Sequence, residues 1–159
     1  MQEKEIKIRV IACQLDELTI EERHLIEKAK EATNLSYAPY SMFNVGAAVL
    51  LDNGEVIQGS NQENAAYPSG LCAERVAMFY TNSRFPNVAP KILAVAGRSK
   101  DGFLKQPISP CGSCRQVLLE TELRYKQDIE ILLYGTDVIY KLFSSKDLLP
   151  LAFNKSTLK

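Results

Sequence analysis

Three of the four cysteines fall in two short stretches, Cys72-Ala73-Glu74-Arg75 and Pro110-Cys111-Gly112-Ser113-Cys114. Taken alone, Cys111-x-x-Cys114 admits three readings: a redox couple, half of a structural zinc knot, or part of a catalytic metal site. Cys72 narrows the choice. Three thiolates can hold one zinc and leave its fourth tetrahedral position open to water, which is where chemistry begins. Glu74 stands two residues beyond Cys72 and would point away from it inside a regular helix, so both can address one water only if Cys72 lies at the helix mouth. Arg75 is three residues on, on the same helical face, and its guanidinium can donate hydrogen bonds to thiolate sulfur. That matters because three thiolates leave a divalent cation with a net charge of about −1, which blunts it as a Lewis acid.

The competing readings ask for features of their own. A redox pair of the thioredoxin kind follows a strand in a βαβ pattern and does not use a distant Cys-Ala-Glu. A structural zinc site wants a fourth protein ligand, for which Cys13 and the single histidine, His24, are the candidates. On residue type alone Cys13 reads as a small core hydrophobe and His24 as a solvated helix residue. Phe43 and Phe153 read as core side chains, Glu63 as a surface carboxylate and Arg75 as an ion-pair partner.

The elements that must position these groups follow from local pattern. Thr19 to Glu22 fits a capping box, and Leu25, Ile26, Ala29 and Ala32 follow at helical spacing, which predicts a first helix to about Asn34. An apolar run from Phe43 to Leu51, an Asn53-Gly54 turn and a return strand over Glu55 to Ser60 predict a β-hairpin. A Pro-Ser-Gly break precedes Cys72, and Ser109 with Pro110 fits an N-cap and first helical position, so both cysteine stretches are expected to open helices. Helix N-termini carry partial positive charge, which favours thiolates there. Strands are predicted over Lys91 to Gly97, Ile129 to Gly135 and Val138 to Phe143, with a short helix from Ser145 to Leu149 stopping at Pro150. The order α-β-β-α-β-α-β-β-α gives an expected α/β fold: three α/β/α layers around a mixed, five-stranded sheet.

Composition excludes several classes of function. The chain has 159 residues, 46% of them hydrophobic, enough for one expected domain over 1–159 with a real core. Its 19 basic and 19 acidic side chains cancel, so the basic surplus of a protein that tracks nucleic acid is missing. No apolar run is long enough to span a membrane, and the stretch MQEKEIKIRV lacks the apolar centre of a signal peptide. A cytoplasmic location is the expectation, where four cysteines are either buried or bound to metal.

The Cys-Ala-Glu at 72–74 and the Pro-Cys-Gly-Ser-Cys at 110–114 together resemble the signature of the zinc deaminases in its all-cysteine form. More narrowly, SYAPYSMFNVGAAVL, GSNQENAAYPSGLCAERVA, SPCGSCRQVL and DLLPLAF, spread from about Leu35 to Leu158, resemble the small homotetrameric cytidine deaminases. The resemblance implies one Zn²⁺ per chain on Cys72, Cys111 and Cys114, with Glu74 as the proton-transfer group. It implies hydrolytic deamination of cytidine and 2'-deoxycytidine, in pyrimidine salvage, to the uracil nucleosides and ammonia. Phe43 would pack on the pyrimidine, and Asn61 and Glu63 would bind the ribose hydroxyls. A carboxylate there suits a sugar hydroxyl and repels phosphate, which favours a nucleoside over a nucleotide. Ala65, Tyr67 and Phe153 would complete the pocket of a neighbouring subunit. The alternatives are a deaminase of a related aminopyrimidine nucleoside, such as blasticidin S, and a non-catalytic zinc or redox module. Residues 1–16, with Cys13, extend beyond the resemblance, and their role is open.

Overall fold

A computed structural model describes residues 1–158. Helix α1 (Ile20–Ala32) starts where its sequence asks it to: the Glu22 N–H donates to Thr19 Oγ1 (3.2 Å), and the Thr19 N–H donates to Glu22 Oε2 (2.7 Å). Its buried stripe is Leu25, Ile26, Ala29 and Ala32. Strands β2 (Asn44–Leu51) and β3 (Val56–Ser60) form the hairpin, with Gly54 at φ 86° in the left-handed conformation that the turn requires. The other α-helices and strands are α2 (Ala73–Arg84), β4 (Pro90–Ser99), α3 (Gly112–Tyr125), β6 (Glu130–Tyr134) and β7 (Ile139–Leu142), with two short strands, β1 (Ile11–Cys13) and β5 (Gly102–Phe103).

These strands make one mixed sheet in the order β1-β7-β6-β4-β2-β3, with β5 paired to the end of β4. Among the described strands only β4 and β6 run parallel, with Val95 opposite Leu133; their connection contains α3, as a parallel crossover requires. Side-chain alternation divides the core into two sheets of apolar contacts. Ala47, Val49 and Leu51 of β2, with Leu93 and Val95 of β4, face α2 and α3; Ala48, Leu50, Ile92, Ala94 and Ala96 face α1. The layers are therefore α/β/α, as expected.

The sheet has seven strands, not five. The two extra ones are three and two residues long, too short for an alternation to stand out, and they exist because β7 and β4 offer them a ladder. Ser109 and Pro110 do not open α3: Cys111 is its N-cap, and the Arg115 N–H closes the first turn on the Cys111 carbonyl (3.0 Å). The expected helix after Ser145 is one 3-10 turn, Ser145–Asp147, its first residue held by the Glu122 carboxylate instead of by a continuing helix. Cys13 is buried in the α1-side core and His24 is exposed, both as expected.

Gly59 sets how close α2 can come. A Cβ there would lie 2.5 Å from the Ala77 nitrogen and 2.6 Å from the Ala73 carbonyl oxygen, so only glycine lets the start of α2 rest directly on β3.

Candidate active site

Cys72 is the N-cap of α2 and Cys111 the N-cap of α3, so two helix mouths meet at one point. Cys114, in the first turn of α3, is buried beneath them. The sulfurs of Cys72 and Cys111 are 3.7 Å apart and those of Cys111 and Cys114 3.5 Å, and all three lie within 4.8 Å of one another. Tetrahedral zinc with sulfurs at ~2.3 Å sets neighbouring sulfurs ~3.8 Å apart, so the trio fits that ion. A donor set of three soft thiolates, drawn from two helix N-termini, also has the chemistry zinc selects.

Placing Cys72 at the helix mouth resolves the difficulty over Glu74. The N-cap backbone is extended (ψ 154°), so Glu74, in the first turn of α2, turns inward beside the sulfurs; it is buried. Burial pushes its carboxyl above the usual range, and the negative charge of Cys72 adds to this; the Cys114 sulfur and Arg75 act the other way. The Arg75 Nη2 donates to the Cys72 sulfur at 3.7 Å. Cys72 is drawn down to about 5, first by the hydrogen bond with Cys114 and then by Arg75, against its burial. Cys114 is pushed up by the same hydrogen bond and by burial, so Cys72 ionises before Cys114 and a bound cation must displace the Cys114 proton.

Beside the sulfurs lies a cleft of about 480 Å³, lined by Cys72, Arg75, Asn61, Glu63, Tyr67 and Tyr40 among others. The loop that closes it is tied down by two predicted binding residues. Asn61 accepts from the Val45 N–H (2.8 Å) and the Ser36 hydroxyl through Oδ1, and donates to the Phe43 carbonyl (2.9 Å). Glu63 Oε2 accepts from the N–H groups of Tyr40 (2.9 Å) and Ser41 (3.2 Å); hydrogen bonds from Ser41 and Tyr40 hold the carboxyl below its usual range. Asn61 is thus a clamp on the start of β2, with one amide hydrogen still to give.

Other predicted residues lie elsewhere. Phe43 packs its ring toward Gly97 of β4, whose absent side chain leaves the room, and does not line the cleft. Ala65 is exposed just outside it. Phe153 sits across α3, where the Gln116 side chain donates to its carbonyl (2.9 Å), in a separate hollow with Val117 and Glu120. Within one chain, then, Tyr67 joins the cleft and Phe153 does not.

The sequence profile of the cytidine and deoxycytidylate deaminase zinc-binding region matches residues 19–126. The chain belongs to this family. It is 45% identical over 98 residues to a cytidine deaminase of Halalkalibacterium halodurans, a match covering 60% of this chain and 68% of that one. It is 34% identical over 134 residues, 84% of each chain, to a probable cytidine deaminase of Dictyostelium discoideum. The crystal structure of cytidine deaminase from Burkholderia pseudomallei shares the fold at a TM-score of 0.69 and 40% identity, covering 86% of this chain and all of that one. Cytidine deaminase from Mycobacterium tuberculosis gives a TM-score of 0.67 at 33% identity.

Among the described residues no helix of this deaminase-family chain is long and apolar enough to cross a membrane. The zinc-binding character of the family and the three-cysteine group agree on the cofactor. One residue that positions the deaminase-family site escaped sequence reasoning. Arg115 donates through Nε to the Pro110 carbonyl (2.7 Å) and through Nη1 to that of Leu148 (2.8 Å), bracing the turn that presents Cys111 against the C-terminal segment. Its only sequence signal is adjacency to Cys114, four residues after Cys111.

Proposed function

We propose that the chain is a zinc-dependent hydrolase that converts cytidine and 2'-deoxycytidine to uridine and 2'-deoxyuridine. The observation that carries this reading is the meeting of three sulfurs and a buried carboxylate at paired helix mouths, beside a cleft of about 480 Å³, within the range of small-molecule sites. Cys72, Cys111 and Cys114 would hold the ion. Zinc bound there supplies a Lewis acid and lowers the pKa of a water toward ~7.

Glu74 then handles the protons. Cytosine C4 is a poor electrophile because the ring nitrogens and the exocyclic amine donate into it, so protonation at N3 must accompany attack. Glu74 takes a proton from the attacking water and gives it to N3, and it returns a proton to the departing amine. The C4–N4 bond breaks, a C4–O bond forms, and one water is consumed for one ammonia released. Burial suits Glu74 to this task because it brings the acid and base forms closer in energy at neutral pH. Arg75 draws charge off Cys72, offsetting the excess negative charge of three thiolates.

The second oxygen of Glu63 and the remaining amide hydrogen of Asn61 hold the ribose hydroxyls; Phe43, which within one chain stands outside the cleft lining against Gly97, would meet the pyrimidine from that side. Ala65, Tyr67 and Phe153 serve a neighbouring subunit's pocket in a homotetramer. Exposure of Tyr67 and Phe153, at 76% and 60%, supports this, since large aromatic side chains so placed are unburied in a lone chain. We assign the chain to the cytoplasm as a single domain over 1–159.

Metal analysis combined with a spectroscopic cytidine assay tests the proposal. One zinc per chain with loss of cytidine absorbance and release of ammonia is expected; zinc without turnover would return the site to a structural role.

A further inference from the structure

Residues 1–10 precede β1, the outermost strand on its side of the sheet, and all are exposed. Their sequence alternates. Ile6, Ile8 and Val10 share one parity, while Glu3, Glu5, Lys7 and Arg9 share the other. That is the pattern of an amphipathic strand, and the ion pair of Glu5 with Lys7 at 3.8 Å shows two charged residues on a common side. The segment also follows the course of β1. Ile11 pairs with Lys141, so the same register sets Arg9 opposite Phe143, and the Arg9 guanidinium lies 4.5 Å from that ring's centroid. Yet Ile6, Ile8 and Val10 stay 44%, 53% and 44% exposed, a strand pattern with an uncovered apolar side.

The order of charges says what pairs with its free edge. The segment is acidic in its first half and basic in its second: Glu3 and Glu5, then Lys7 and Arg9. Two identical copies running antiparallel about an axis at Ile6 bring Glu5 opposite Lys7 and Glu3 opposite Arg9, each twice by symmetry. The same register places Ile6 opposite Ile6, and Ile8 opposite the aliphatic stem of Lys4. Shifting the axis to Lys7 sets two lysines face to face, and shifting it to Ile8 sets Lys7 against Arg9. A parallel pair sets every charge against its own kind. Opposite charges across a ladder stabilise and like charges destabilise, so the composition selects one arrangement. Arg9 can keep its stacking on Phe143 while its edge meets the partner's carboxylate.

We propose that residues 3–9 form an antiparallel two-stranded ribbon with the same residues of a second copy of this chain, across a two-fold axis at Ile6. The contact is isologous and rests on this segment alone, not on the proposed reaction. It extends the sheet edge into an interface and gives the N-terminal extension a role in assembly.

Cysteine cross-linking of the full zinc-loaded chain tests the register. Facing residues in an antiparallel pair have Cα atoms ~4.5–5.5 Å apart, within disulfide range. Ile6→Cys, mildly oxidised and run on a non-reducing gel against the parent chain, should give a covalent dimer. Ile8→Cys, whose symmetry mate lies four pairs away along the ribbon, should give at least about fivefold less. Adding Glu5→Lys to Ile6→Cys should lower the yield by about the same factor, and adding Lys7→Glu as well should restore it. Equal yields at positions 6 and 8, or a charge reversal without effect, would overturn the ribbon. Because position 6 is exposed and is none of the three cysteines that would hold the ion, unchanged zinc content reports that each variant folds.

Discussion

Glu22 and Glu74 are the same residue type, each in the first turn of a helix and buried to 3% and 5% exposure, yet their carboxyls move in opposite directions. Burial pushes both upward. At Glu22 this is overcome: the Glu130 carboxyl, the Lys141 ammonium and Thr19 all hydrogen-bond to it, bringing it down to about 2. At Glu74 the negative charge of Cys72 adds to the upward push, and Arg75, which acts the other way, donates its hydrogen bond to that sulfur and not to the carboxylate. The difference teaches what the neighbours decide. A buried carboxylate given its own cation is locked ionised and serves as a structural tie, here between α1, β6 and β7. A buried carboxylate whose cation is engaged elsewhere is left able to exchange a proton.

The largest effect that could break the comparison is on turnover. Glu74→Gln should keep zinc and fold while lowering kcat by about 10²–10⁴ or more, the span of general acid–base catalysis. Near-normal turnover, with metal content verified, would remove Glu74 from proton transfer.

Lys141→Met sharpens the other side. It leaves Glu22 buried without its cation and should cost about 2–3 kcal/mol in urea unfolding, less than a fully buried pair because Lys141 keeps some solvent, with turnover unchanged. The pH dependence follows from the signs. The folded value of Glu22 near 2 lies below its ordinary 4.5, so its contribution is present above about pH 4.5 and fades as pH falls toward 2. Glu130, raised by burial and by Glu22, acts oppositely: its contribution is lost as pH rises through its elevated folded value. Lys141→Met should therefore flatten the acid limb of stability; an unchanged limb would show that Lys141 does not hold Glu22 ionised.

Glu63→Gln should have the smallest effect. Weakening one charged hydrogen bond to a sugar hydroxyl should lower kcat/KM for cytidine about tenfold, mainly through KM. Equal loss for a substrate lacking both ribose hydroxyls would show that Glu63 acts only as a loop anchor for Tyr40 and Ser41.

The same pair of carboxylates marks how far the sequence could be read. The capping box at Thr19 to Glu22 and the hairpin at Asn53-Gly54 are local, and both appeared where their residues placed them. The cysteine stretches disclosed a metal site because each motif is compact and the chemistry of three thiolates is restrictive. The second role of Glu22 was hidden, since Lys141 lies 119 residues away and nothing local in KLF announces a buried ammonium. Strand β1 was hidden for the same reason: three residues become a strand only when Ile139 to Lys141 arrive beside them. Asn61 was read as a ligand-binding side chain; its further role in holding Phe43 and Val45 was hidden, a bond pattern visible only in three dimensions.

Zinc K-edge X-ray absorption on the purified protein tests the central claim most directly. The account predicts a first shell of three sulfurs at ~2.3 Å and one oxygen at ~2.0 Å, the oxygen exchanging when a nucleoside analogue binds. A shell of four protein ligands, or of two sulfurs, would contradict it.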